Sequence, residues 1–201
     1  MLEKEKSCRV ELYKKKNFII LLLIIFNTNI VCAQSNKQII QKIKDTDTLS
    51  FNFKQTISGK VEHGLCLVKY PKLIRCDYND SFEKRLISDG KRLAIIQKRY
   101  NKIFYYRLKS TPLNLILNKE YLIKYIQDNE PYYTNDKYIF YKIVAEDNKE
   151  LLIFFDKKTF NLSGWETNDL YQNKVKFIIE NIKTNVYLEK KIFKIPREEE
   201  F

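Results

Sequence analysis

Residues 65–78 read LCLVKYPKLIRCDY and residues 84–97 read KRLISDGKRLAIIQ, and these two stretches decide the fold class of the chain. Each contains two short runs of apolar side chains separated by turn-forming residues. Pro71 interrupts the first stretch, and Asp89-Gly90, a strong signal for a two-residue hairpin, interrupts the second. The pattern therefore predicts consecutive antiparallel strands joined by tight turns.

The same alternation continues on both sides of these stretches. Residues 50–57 and 174–180 show the period of two that is typical of strands with one buried face. Gly59 and Gly64 are expected to bracket a turn that contains His63. The spacing of turns predicts roughly nine to eleven strands, which favours a barrel or a strongly curved sheet. We therefore expect a mainly β (α+β) fold.

Two segments break the alternation and predict helices. Residues from Asn36 to Lys44 form a short amphipathic pattern with isoleucines on one face. Thr111-Pro112 offers an N-cap followed by proline and begins a second apolar helix. Because this helix lies between hairpins, we expect it to cross the concave face of the sheet, either as ordinary core or as a lid. Residues 121–133 either continue it or form an edge strand.

The N-terminus has the pattern of a cleavable signal peptide. Basic residues at positions 4–16 precede an uninterrupted apolar run at positions 18–26, and Val31-Cys32-Ala33 suits cleavage after Ala33. A transmembrane anchor is the alternative, but the uncharged stretch is short for a bilayer. Lipidation of Cys32 is a weaker alternative, because Val31 is larger than the small residue that such a signal needs. The sequence predicts a signal peptide at 1–33, one domain at 34–201, and export to the periplasm.

Cleavage would leave two cysteines, Cys66 and Cys76, on either side of the Pro71 turn. An oxidising compartment permits them to form a disulfide. They are expected on one face of a hairpin, at opposed or diagonal positions, and their bonding state is left open.

Composition excludes several classes of function. The 201-residue chain has a net charge of +12, but its lysines and arginines are spread through every strand, so they indicate a solvated basic surface and no nucleic-acid partner. His63 is the single histidine, and the cysteines lack the spacing of a zinc site. Neither a nucleophile elbow nor a phosphate-binding glycine loop is present. We therefore expect neither an enzyme nor a bound metal or cofactor.

The order of several short motifs resembles the outer-membrane lipoprotein carrier (LolA) family. These motifs are Phe53-x-Gln55, the Gly59/Gly64 pair, Val68-Lys69-Tyr70-Pro71, Leu73-Ile74-Arg75, Leu86-Ile87-Ser88-Asp89-Gly90-Lys91 and Thr111-Pro112-Leu113. Phe155-Asp156-Lys157-Lys158-Thr159, Trp165, Asp169 and the ending from Phe193 to Pro196 extend the resemblance over nearly all of the chain after residue 33.

The resemblance implies an unclosed antiparallel β-barrel with short helices covering its concave face. It also implies a soluble, monomeric periplasmic chaperone that binds the acyl chains of lipoproteins in a hydrophobic cavity. Such a protein accepts acylated lipoproteins from an inner-membrane ABC-type lipoprotein release complex and transfers them to an outer-membrane lipoprotein receptor.

Strand parity and the lid helix together predict six residues that line this cavity, although each also fits an ordinary core position. They are Val68, Tyr70, Ile74, Leu113, Ile116 and Leu117. Two positions depart from the family pattern. The family often has a lid-holding arginine where this chain has Tyr70, and an aromatic residue where it has Cys76. Two alternatives remain: an outer-membrane lipoprotein receptor of the same fold (LolB-like), and a periplasmic interaction module with a closed core.

Overall fold

The computed structural model describes residues 34–144, 150–169 and 172–200, and within these ranges one antiparallel sheet of eleven strands dominates the chain. The signal peptide expected at residues 1–33 lies outside the described residues. The strands in chain order are β1 (Thr48–Ile57), β2 (Lys60–Lys69), β3 (Leu73–Tyr78), β4 (Lys84–Asp89), β5 (Arg92–Gln97), β6 (Lys102–Arg107), β7 (Tyr133–Thr134), β8 (Tyr138–Val144), β9 (Glu150–Asp156), β10 (Leu162–Asn168) and β11 (Lys174–Thr184).

The sheet consists of two meanders joined along one long-range pairing. Strands β1 to β6 follow one another on one side and β7 to β11 on the other, and β1 pairs antiparallel with β11. Strands β6 and β7 are therefore the two edges, and the described sheet does not close between them. The expected fold class, an unclosed and mainly β architecture, is confirmed.

One predicted turn is wrong. Gly64 and His63 lie inside β2, and the turn between β1 and β2 is formed by Ser58 and Gly59. Gly59 takes a positive φ of 81°, which a glycine adopts without steric cost, whereas Gly64 is needed for its small volume.

Three helices lie on the sheet: α1, which the structure describes over 34–44, α2 (Leu113–Ile116) and α3 (Lys119–Asp128). The Asn118 side chain caps α3 by accepting a 3.2 Å hydrogen bond from the Tyr121 backbone amide. The stretch at 121–133 does not continue α2, because it belongs to the separate helix α3 as far as Asp128 and then reaches edge strand β7 at Tyr133. No helix in the described ranges combines the length and the apolar character needed to cross a bilayer.

The main hydrophobic core lies between the concave face of the sheet and these helices. Ile39 and Ile43 of α1 and Leu122 and Ile126 of α3 are buried in it. A smaller cluster on the opposite face of β4 and β5 is covered by the C-terminal segment through Ile195. The concave core is therefore where the predicted binding residues meet.

Candidate functional site

All six residues predicted to line a cavity belong to the concave core or pack directly against it. Val68, Ile74, Ile116 and Leu117 are buried members of the cluster, while Tyr70 and Leu113 are partly buried and pack on its surface. Val68 and Ile74 are cross-strand partners on β2 and β3. The structure thus brings the predicted strand and helix residues together, and their role in binding acyl chains stays a prediction.

Polar contacts hold the helices across the concave face at several points. The Lys72 amide donates a 3.1 Å hydrogen bond to the Leu117 carbonyl, which ties the β2–β3 turn to the end of α2. At the other end of α3, the side-chain amide of Asn36 donates to the Ile126 carbonyl at 3.1 Å. The Tyr125 hydroxyl donates to the Lys142 carbonyl on β8.

The Lys119 side chain makes three of these polar contacts from a single nitrogen atom. Its Nζ donates to the backbone carbonyls of Lys44 and Thr46, each at 2.8 Å, and lies 3.3 Å from a carboxylate oxygen of Asp47. One cation at the start of α3 therefore satisfies carbonyls at the end of α1 and links both helices to the start of β1. Lys119 is not among the predicted site residues, because the family pattern places the lid-holding cation at position 70.

The Tyr70 ring lies beneath the Lys119 ammonium group, but Tyr70 does not act as a hydrogen-bond donor to the described helices. The Lys119 Nζ is 5.6 Å from the centroid of the Tyr70 ring, and no hydrogen bond among the described residues uses the Tyr70 hydroxyl. Burial raises the pKa of this hydroxyl well above its usual value, so it stays neutral. Tyr70 therefore contributes apolar and ring surface, while the positive charge comes from Lys119.

Cys66 and Cys76 form a disulfide, which decides a point that the sequence left open. They are directly opposed residues of β2 and β3, with Cα atoms 4.0 Å apart, and both are buried in the concave core. The position where the family often has an aromatic side chain is thus filled by a covalent crosslink between two strands.

A row of four aromatic rings crosses the middle of the concave face. Ring centroids are 4.8 Å apart between Tyr78 and Phe53, 4.8 Å between Phe53 and Phe177, and 4.1 Å between Phe177 and Trp165. Stacked and edge-on rings at these separations are the favoured arrangements, so this row is a stiff wall of the core.

Next to this row, a cluster of polar side chains joins β1, β2, β3 and β4. Glu62 pairs with Lys84 at 2.6 Å and with Lys60 at 3.0 Å, and Tyr78 donates to the Gln55 side chain at 3.1 Å. Burial alone would raise the pKa of Glu62, but hydrogen bonds and charge from both lysines outweigh it and lower that pKa. The carboxylate is therefore held in its ionised form.

Two exposed aromatic residues extend the concave surface to the free edge of the sheet. Tyr106 of β6 is the cross-strand partner of the buried Leu93, and Phe104 pairs with Ile95 two residues along, so both rings lie on the concave side. Phe104 is 44% and Tyr106 38% exposed. Neither residue is among the predicted site residues, although strand alternation in residues 102–107 (KIFYYR) is a signal for them.

The hollow that the described residues form on the concave side is small. A hollow between Ile43, Leu49, Tyr70 and Leu162 has a volume of about 20 Å³, whereas ligand pockets usually measure roughly 300–1,000 Å³. A larger hollow of about 250 Å³ lies on the convex face, where Lys142, Glu166 and Lys174 form charged walls. A bulky apolar ligand would not fit this hollow unless the helices moved.

Solved structures that are similar to this chain include the following two. A LolA superfamily protein from Nitrosomonas europaea is similar with 10% sequence identity and a TM-score of 0.44, over 82% of this chain and 97% of that one. Lipoprotein LppX from Mycobacterium tuberculosis is similar with 12% identity and a TM-score of 0.41, over 79% and 98% of the two chains. No match was found among the curated proteins.

The family model described as outer membrane lipoprotein carrier protein LolA matches residues 44–196. This range covers more than half of the chain and includes every strand of the sheet. It also includes the six predicted cavity residues, the aromatic row and the disulfide. The chain therefore belongs to the outer membrane lipoprotein carrier protein (LolA) family.

Proposed function

We propose that this protein is a periplasmic chaperone that shelters the acyl chains of lipoproteins on the concave side of its sheet. In this proposal, residues 1–33 are removed and the single domain at 34–201 carries cargo as a monomer. An inner-membrane ABC-type release complex supplies the lipoprotein, and an outer-membrane receptor accepts it. The proposal assigns no catalytic step and requires no cofactor.

The observation that carries this proposal is the position of α2 and α3 over one continuous apolar surface. Ile116, Leu117 and Leu122 face the sheet from the helices, and Val68 and Ile74 face the helices from the sheet. Removal of the helices would expose both apolar surfaces together. Burial of each CH₂ group of an acyl chain contributes about 0.8 kcal/mol. Contact with an apolar surface of this kind can therefore offset the free energy that the acyl chain loses when it leaves the membrane.

The closed interior explains how such a carrier would also release its cargo. Acyl chains must replace the packing of α2 and α3 with the sheet, and this exchange reduces the net free energy of binding. Phe104 and Tyr106 offer exposed apolar surface at the free edge, where an acyl chain can make contact before the helices move. Binding is therefore expected to be strong enough for transport and weak enough for transfer.

A second candidate function follows from the same closed interior. If the helices stay in place, the protein is an interaction module whose core is a purely structural element. The hollow of about 20 Å³ favours this candidate, because it is far smaller than an acyl chain requires. The two candidates differ in whether apolar ligands can open the concave side.

Native mass spectrometry of the processed protein, purified from a bacterial periplasm and then incubated with a detergent-solubilised triacylated lipoprotein, separates the candidates. A carrier gains the mass of one lipoprotein, and a fatty-acid analogue placed in the cargo crosslinks to α2 or to β2. An unchanged protein mass, together with failure to take up any apolar probe, would leave the interaction module. Incorporation of a fatty acid into Cys32 of the protein itself would instead favour a receptor.

A further inference from the structure

Strand β6 has a free edge long enough to accept another strand. It pairs with β5 on one side, and the described sheet gives it no neighbour on the other. The opposite edge of the sheet, β7, consists of only two residues. Unpaired backbone amides and carbonyls along six residues are a template for strand addition.

The side chains around this edge are basic and aromatic. From Lys91 to Lys119 the chain contains eight lysines and arginines and neither aspartate nor glutamate. Lys102 and Arg107 lie at the two ends of β6, both exposed, and the structure gives neither an ion-pair partner among the described residues. Between them lie the exposed rings of Phe104, Tyr105 and Tyr106. The edge thus presents an apolar centre between two free positive charges.

We propose that the free edge of β6 binds an extended segment of a partner protein, with acidic residues toward its two ends and apolar residues between them. Backbone hydrogen bonds supply the affinity in this mode of recognition, and side-chain complementarity supplies the selectivity. Acidic side chains would pair with Lys102 and Arg107 across the new strand pair, and apolar side chains would pack beside the three rings. This interaction does not depend on the lid or on acyl cargo.

A second copy of the chain fits the edge poorly. Antiparallel pairing of β6 with itself, centred between Phe104 and Tyr105, would place Lys102 opposite Arg107 at both ends. Like charges directly opposite each other destabilise a strand pair. The edge is therefore selective for a partner of opposite charge.

A lipid surface also fits poorly, although it could supply the negative charge. The aromatic rings project from both faces of the sheet, since Phe104 and Tyr106 lie on the concave side and Tyr105 on the other. Insertion of this edge into an apolar layer would leave its backbone groups without hydrogen-bond partners. A strand satisfies these groups and contacts the rings on both faces.

The test uses the processed protein and an eight-residue synthetic peptide of valine and threonine with glutamates at positions 2 and 7, five residues apart like Lys102 and Arg107. We expect the peptide to bind, as measured by fluorescence anisotropy, and to slow hydrogen exchange at the amides of residues 102–107. The double variant K102E/R107E should bind it about tenfold more weakly. The same variant should gain affinity for a peptide with lysine in place of glutamate.

A matched control is the double variant K157E/K158E, which makes the same charge change in the exposed β9–β10 turn. It should leave peptide binding unchanged if local pairing, and not net charge, drives the interaction. Several outcomes would overturn the proposal. They are no peptide binding, binding without protection of β6, dimerisation through β6, and binding to vesicles containing phosphatidylglycerol in the absence of peptide binding.

Discussion

The rings of Phe53 and Tyr78 meet across Gly64, with their centroids 4.8 Å apart. The three residues are cross-strand neighbours on β1, β2 and β3, and the glycine is in the middle. A methyl group on Gly64 would lie 2.6 Å from a ring carbon of Phe53 and would also overlap the Asp77 carbonyl oxygen. The aromatic pair therefore covers a backbone position that no side chain can occupy.

Substitution of Gly64 by alanine is expected to destabilise the protein by about 1–3 kcal/mol, because the new methyl group displaces a buried ring or bends the strand. Urea unfolding measures the loss. Gly59→Asn is the control, since that glycine lies in a turn with nothing within 4 Å and asparagine tolerates its positive φ. Equal stability of Gly64→Ala and the wild type would show that the sheet adapts to the methyl group.

Substitution of Lys119 by methionine is expected to loosen α3. It leaves the carbonyls of Lys44 and Thr46 without their charged donor, and hydrogen bonds of this kind contribute about 1.5–3 kcal/mol. Hydrogen exchange at the α3 amides should rise about tenfold or more while exchange in β1 and β11 stays slow. Lys124→Met is the matched control, because that lysine pairs with Asp128 on the exposed side of the same helix. Equal effects of the two variants would refute a specific latch.

Substitution of Ile116 by aspartate is expected to reduce capture of acylated lipoprotein while export continues. Ile116 is 2% exposed, so the carboxylate opposes closure of α2 on the apolar surface that cargo must also use. A lipoprotein pull-down from periplasm measures capture, and circular dichroism verifies that the sheet is retained. Asn114→Asp introduces the same charge on a less buried position of α2. Undiminished capture by Ile116→Asp would contradict the assignment of this helix as a lid.

The stability of the protein is expected to fall in acid partly through Glu62. Its pKa in the folded state lies below the usual 4.5, so the unfolded chain takes up a proton first as pH falls, and folding loses free energy. Glu62→Gln should cost about 1 kcal/mol at pH 7. The difference between this variant and the wild type should shrink once pH falls through the depressed pKa. A difference that stays constant from pH 7 to pH 3 would show that the ionised carboxylate does not stabilise the fold.

Loss of the disulfide is expected to lower stability without changing the strand order. Replacement of Cys66 and Cys76 by alanine removes a crosslink and two buried sulfur atoms, and native disulfides typically contribute about 2–4 kcal/mol. Thermal unfolding of the double variant measures the effect, and alkylation of the denatured wild type without reductant should label neither cysteine. Labelling of both would show that the bond is absent in the purified protein.

Much of the fold was predictable because its signals are local. The alternation in residues 50–57 and the turn at Asp89-Gly90 follow from backbone preferences and side-chain patterning over a few residues. Gly64 shows where this approach ends. The residues around Gly64 suggest a turn, yet Gly64 lies in β2. A glycine is needed there because the ring of Phe53, on the neighbouring strand, leaves no room for a side chain.

The candidate site was predictable to the extent that it depends on the same local pattern. Strand parity placed Val68 and Ile74 on the concave side, and helical spacing placed Ile116 in the core. The sequence by itself thus determined the fold class, the concave apolar surface and the basic, acid-free segment between Lys91 and Lys119.

Only the tertiary structure decided which distant groups meet. The pairing of β1 with β11, the bond between Cys66 and Cys76, and the reach of Lys119 to a carbonyl 75 residues earlier all depend on how the sheet curves and where the helices cross it. Alternation assigns a side chain to a face but not to a partner. The partners are chosen when the whole sheet packs against the helices on its concave side, because burial of the core between them determines the register and the curvature together.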